Sequence, residues 1–178
     1  DGYFANNIFW PKEHYIRLID FYRQRFEHYG HGTREQAIVG IGGQFFMRKN
    51  SQDAVNEFRP YFDNAPVYGH GPSMEDFTSQ TPLTVGSPQQ VLERTLEFAD
   101  FYGAYQRQMF LVDHAGLPLK SVLEQLDLLG EILPAMRAEF AARRLAGVAD
   151  APTHAARVAA AKAASAAVPA NPLLGVTS

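Results

Sequence analysis

AIVGIGGQFFMR, residues 37–48, is apolar and β-branched at its start, and it is too short and too rich in glycine for a helix. That is the pattern of a strand buried on both faces, as in a parallel sheet. With a period of two, Gly40, Gly42 and Gln44 share one face and Val39, Ile41, Phe45 and Met47 the other. The bulkier face is expected to meet helices.

Working outward, the preceding stretch from Pro11 spaces Tyr15, Leu18, Ile19, Tyr22 and Phe26 as on one helix face, with Gly30 suited to the position after its end. After the strand, Asn50 or Ser51 caps a second helix in which Ala54, Val55, Phe58 and Phe62 align. From Asp63 to Gln80 the chain is dense in proline, glycine and aromatics, which predicts a long functional loop. Ser87, Pro88 and Gln90 then spell a capping box ahead of Val91, Thr95, Ala99 and Tyr102, with Gly103 as the stop. QMFLVD, residues 108–113, reads as another strand. The helix after Pro118 carries Val122, Leu126, Leu129, Leu133, Met136 and Phe140, and Pro134 inside it predicts a kink near Gly130. Residues 1–140 are read as one folded region and 141–178 as an Ala-rich extension with little bulk for a core.

Composition narrows the function. The chain of 178 residues is 46% hydrophobic and 20% charged, which fits a soluble globular domain. A net charge of -3 gives no basis for nucleic-acid binding, which needs uncompensated Lys and Arg. There are no cysteines, so disulfides, thiolate nucleophiles and Cys-bound zinc are excluded. No apolar run reaches the ~18 residues of a membrane span, and a cytoplasmic location is expected. The chain has six histidines, but His28 and His31 are separated by the helix-breaking Gly30, and no His-Glu-x-x-His spacing occurs; no metal site is expected. GIGG lies inside a strand and lacks the spacing of a dinucleotide loop.

The first residues, DGYFANN, also read as a strand, so strands and helices alternate as in right-handed βαβ units. Three such strands make a poor sheet by themselves, because parallel strands need neighbours on both edges. DGYFANNIFWPKEHYIRLIDFYRQRF, TVGSPQQVLERTLEF and FLVDHAGLPLKSVLEQLDLLGEILPAMR together resemble the C-terminal portion of luciferase-like flavin-dependent monooxygenases, over roughly residues 1–140. The resemblance implies an α/β chain that is the C-terminal part of a (β/α)8 TIM-type barrel. DGYFANN would be strand six, AIVGIGGQFF strand seven and QMFLVD strand eight. It also implies an N-terminal barrel half as a separate or missing chain, and a fragment inactive without it.

By the same resemblance the cofactor is FMN, or a deazaflavin in dehydrogenases of the same fold. The reaction is then oxidation of a small organic substrate by O2, with a flavin reductase as possible electron supplier and a homodimer as the expected assembly. A non-catalytic subunit that completes a neighbour's barrel is the rival reading. The phosphate-holding segment of the family, after strand five, has no counterpart here, so weak or no flavin binding by this chain is expected.

Active sites of such barrels lie at the C-terminal ends of the strands. Asn6 and Asn7 close the first strand and either reach a flavin ring or cap the next helix. Gly42 leaves room for a planar ring and Gln44 can hydrogen-bond it, unless the glycines mark a bend. At the end of the last strand, alternation turns Met109 and Leu111 to the helices and Phe110, Val112 and His114 inward. His114 is the candidate acid or base, Asp113 its orienting partner, and His70 a second candidate on the long loop.

Overall fold

Val39–Met47 forms a strand, β2, whose nine residues are all buried, and every other strand bonds to it. The structure is a computed structural model that describes residues 2–7, 11–68, 71–143 and 162–163. β1 (Tyr3–Ala5) pairs with the start of β2, Tyr3 opposite Val39 and Ala5 opposite Ile41. β3 (Leu83–Gly86) pairs with its end, Gln44 opposite Leu83 and Met47 opposite Gly86. β4 (Arg107–Leu111) runs beside its middle, Gly40 opposite Arg107 and Gln44 opposite Leu111. All three pairings are parallel, so the chain is a mixed α/β fold on a parallel sheet.

The helices are α1 (Lys12–His28), α2 (Ser51–Asn64), α3 (Met74–Gln80), α4 (Pro88–Tyr102) and α5 (Leu119–Ala142), with a 3-10 turn at Arg34–Gln36. Their starts follow the side chains that satisfy the first free N–H groups. Asn50 Oδ1 accepts from the N–H of Gln52 at 2.7 Å, and at α4 Ser87 and Gln90 form the reciprocal capping box. α5 runs as one element through Pro134.

Alternation along β2 sorts the core. Val39 and Ile41 pack with Tyr15 and Ile19 of α1 and with Phe98 and Tyr102 of α4. Phe45 and Met47, on the same face, pack with Val91 of α4 and with Leu128, Ile132 and Met136 of α5. Phe46 points the other way, into a cluster with Phe58 and Phe62 of α2 and Phe77 of α3. The Phe46 and Phe58 rings stack with centroids 5.0 Å apart. A buried phenylalanine in such a stack contributes about 3–5 kcal/mol relative to alanine.

The structure departs from the sequence reading in three places. The stretch 63–80 is not one loop: its second half is α3, capped by Ser73, whose Oγ accepts from the N–H of Asp76 at 3.1 Å. A fourth strand, β3, stands between α3 and α4. Finally, Phe110 does not face away from the helices. Its ring meets Phe45 edge-on at 5.1 Å within the α4/α5 cluster, while Met109 is 60% exposed. The reason is register: Gly43 pairs with Phe110, so Phe110 shares the face of Phe45 rather than that of Gln44.

By compactness the chain divides into residues 1–148 and 149–178. Within the second unit the described residues, Lys162 and Ala163, are helical and exposed. Among the described residues no helix is long and apolar enough to cross a membrane.

Candidate active site

Three buried polar side chains converge where β2 and β4 end: Gln44 from β2, Tyr68 from the segment after α2, and His114 from the turn between β4 and α5. They are 1%, 4% and 7% exposed. Regular strand backbone stops at Leu111, and the chain bends through residues 112–114 before the turn at Ala115 and Gly116, both with positive φ. That bend, not strand alternation, delivers the imidazole to the side of the sheet where Phe58 lies, with ring centroids 5.3 Å apart.

The hydrogen bonds form a chain. Tyr68 Oη donates to Gln44 Oε1 and lies 3.2 Å from His114 Nδ1. On the far side of the ring, Nε2 donates to the carbonyl oxygen of Phe45 at 3.1 Å. Because a carbonyl only accepts, Nε2 carries a proton and Nδ1 is the nitrogen that titrates. Burial lowers the His114 pKa, an effect opposed by the bond to Phe45 and by the negative charge of Asp113. Burial also pushes the Tyr68 hydroxyl well above its ordinary value, so it stays protonated across the accessible pH range. The Tyr68 ring is held from behind, stacked on Phe62 at 4.8 Å and 11°.

The remaining residues expected at the site take other places. Asp113 is exposed, and both His114 nitrogens meet other partners; Asp113 acts on the ring through its charge. Asn6 is exposed, and its backbone carbonyl accepts from Tyr15 Oη at 2.6 Å. Asn7 is fully buried and joins three elements: its Oδ1 accepts from the N–H of Gly42, and its Nδ2 donates to Tyr102 Oη at 3.4 Å. These bonds run to β2 and α4 rather than to the following helix, which Asn7 was expected to cap if it did not reach a ligand, and they use the Gly42 N–H as well. His70 lies outside the described residues. Tyr68 was not anticipated, since an aromatic residue in a turn-rich segment has no periodic partner. Its only signal is that it sits two residues before His70.

An ionic cluster closes the same end of β2. Arg48 clamps Glu57 of α2 through two guanidinium nitrogens, lies 3.6 Å from Glu124 of α5, and covers the Phe46 ring at 4.4 Å. Ser121 Oγ donates to Glu57 at 3.0 Å. The bonds from Arg48 hold the Glu57 carboxyl below the usual range, with burial opposing and Ser121 assisting. Among the described residues no group of three or more His, Asp or Glu side chains is placed to hold a metal ion.

In parallel βα sheets functional side chains gather at the C-terminal ends of the strands, and the buried His114 lies there. Residues 1–105 match the model of the luciferase-like monooxygenase family, and the chain belongs to that family. Among solved structures it is similar to the monooxygenase RslO1 from Streptomyces bottropensis, with a TM-score of 0.57 and 13% sequence identity, over 76% of this chain and 42% of that one. At that identity the likeness is one of fold, and the chain spans less than half of the matched structure. None of the curated proteins compared with the chain matches it.

Proposed function

We propose that this chain forms strands six to eight of a (β/α)8 barrel, and that the completed protein is a monooxygenase that uses reduced FMN and O2 to oxidise a small organic substrate. The observation that carries the reading is the buried Gln44, Tyr68 and His114 chain at the strand ends of a luciferase-like fold. The sheet itself supports barrel completion. Among the described residues β1 and β4 each pair with β2 alone, which leaves both outer edges able to accept a further parallel strand.

The residues present fit the flat ring of a flavin. Register sets Phe4 and Arg107 on either side of Gly40, and Met109 beside Gly42. Phe4 and Met109 are 42% and 60% exposed. A Cβ on Gly40 would come within 3.1 Å of the Phe4 ring, so glycine is what keeps this face flat. Gln44 lies further along the same face of β2, where its Oε1 accepts from Tyr68.

Reduced flavin, when bound, supplies the electrons that activate O2. The share of this chain is to hold and move a proton. His114, neutral near pH 7 because it is buried, exchanges a proton at Nδ1 with the Tyr68 hydroxyl 3.2 Å away, and through it with a substrate oxygen. Phe45 and Tyr68 fix the ring plane, and Phe58, Phe62 and Phe77 keep water out behind it.

The test is anaerobic titration of the intact protein with reduced FMN, followed by flavin fluorescence, together with the rate of O2 uptake for wild type and His114→Ala. Saturable binding by the intact protein and slowed turnover in the variant are expected, with weak or absent binding by residues 1–178 alone. No binding by the intact protein overturns the flavin reading. Sub-micromolar binding by the isolated chain overturns barrel completion.

A further inference from the structure

Sulfur is scarce in this chain, and tertiary structure opens it at one place. There are no cysteines, and of the four methionines Met47, Met74 and Met136 are 0%, 3% and 5% exposed, each packed within an apolar cluster. Met109 is 60% exposed. Its neighbour Phe110 packs among the residues of α4 and α5, so alternation along β4 sends the Met109 thioether to the opposite face of the sheet. Register sets it opposite Gly42, on the face that carries Gly40 and Phe4, where Gly42 has no side chain to stand over the sulfur. Leu111 pairs with Gln44 two residues further on, so Met109 lies about 7 Å below the strand ends where His114 and Tyr68 gather.

We propose that Met109 is an internal oxygen acceptor, converted to its sulfoxide by the protein's own monooxygenase chemistry when no organic substrate occupies the site. The proposal rests on the reading above, in which a flavin ring lies on this face. Monooxygenation puts one atom of O2 into an acceptor and the other into water. With Met109 as acceptor, a lone pair on sulfur forms the S–O bond, the O–O bond breaks, and the second oxygen leaves as water with two protons. The two further electrons come from reduced FMN, which is oxidised. A thioether suits this role because its sulfur is polarizable and takes up oxygen with no C–H bond to break. The other three methionines are shielded by their clusters. The product is a polar, chiral group in place of a flexible apolar one, on the face that Phe4 also lines. Turnover without substrate therefore weakens the hold on the ring and limits itself.

The test follows the oxygen. The intact protein is incubated with reduced FMN and 18O2, without organic substrate, with and without catalase to destroy peroxide in solution, and its peptides are weighed. The Met109 peptide gains one 18O atom in both incubations, and the peptides of Met47, Met74 and Met136 gain none. Met109 left unlabelled while FMN binds and O2 is consumed overturns the proposal and leaves the flavin reading standing. Label that catalase abolishes does the same, because the oxidant is then peroxide from solution, and so does label shared equally with the buried methionines. Absence of reduced-FMN binding in the fluorescence titration removes the flavin reading itself, and the proposal with it. As label accumulates, wild type loses affinity for reduced FMN while Met109→Leu keeps its own initial affinity. Equal losses in the two proteins overturn the self-limitation.

Discussion

Replacing Gln125 with methionine should make the protein more stable. Gln125 lies on the buried face of α5 between Val122 and Leu128 and is 0% exposed, and neither its Nε2 nor its Oε1 makes a hydrogen bond among the described residues. An amide buried without partners costs roughly 1–3 kcal/mol in protein terms. Methionine has nearly the same length, is likewise unbranched at Cβ and Cγ, and is flexible, so repacking should cost less than about 1.5 kcal/mol. The expected net gain is about 1–2 kcal/mol. With a urea m-value of about 2 kcal/mol per molar, the unfolding midpoint should rise by about 0.5–1 M at unchanged m. Circular dichroism and Trp10 fluorescence give independent readings of the transition. Gln125→Ala should do the opposite, because it removes the orphaned amide but leaves a void. A loss of 1 kcal/mol or more in Gln125→Met would refute the reasoning, since it would mean that the amide has a partner in the folded protein.

Two further outcomes follow from the polar contacts. Asn7→Ala should destabilise by about 1–3 kcal/mol in urea unfolding, because it leaves the buried Gly42 N–H unpaired; Asn7→Asp, which keeps the acceptor, should lose less. The pH profile of stability should fall in two windows. His114, lowered by burial, contributes stability that is present above its unfolded value of 6.5 and lost as pH falls below it. Glu57, lowered by Arg48, contributes stability present above 4.5 and lost as pH falls through its folded value. Glu57→Gln should flatten the second window and leave the first unchanged.

Local chemistry was legible wherever one residue type settles one backbone problem. The capping box at Ser87 and Gln90 and the cap at Asn50 were readable because few side chains satisfy helix N–H groups. β2 was readable because a parallel strand covered on both faces has no room for polar alternation. β3 escaped notice because four residues, LTVG, give too little pattern before a helix start that draws attention to itself. At the candidate site, His114 and Gln44 were visible as polar residues near strand ends, and the structure buries both. His114 does not follow strand alternation, because the strand stops at Leu111 and a turn sets the direction of the ring. Asn7 was visible as a polar residue at a strand end, but whether it faced a ligand or the backbone depended on Gly42 and Tyr102, which lie 35 and 95 residues away. Tyr68 depended wholly on tertiary packing.

The attachment of every strand to β2 also sets how the molecule opens. β1 is held by three register pairs and β3 by four, each to a different end of β2, whereas β4 is held by five at its centre. Neither outer strand can protect its amides unless β2 is already in place, while β2 keeps its own partners on one side when a single neighbour leaves. Amide hydrogen exchange should therefore form a hierarchy, with β1 exchanging through local fraying and Ile41–Gln44 exchanging only through global unfolding. Parallel pairings between distant segments also delay closure of the sheet, so refolding should wait on β2 acquiring its first long-range neighbour.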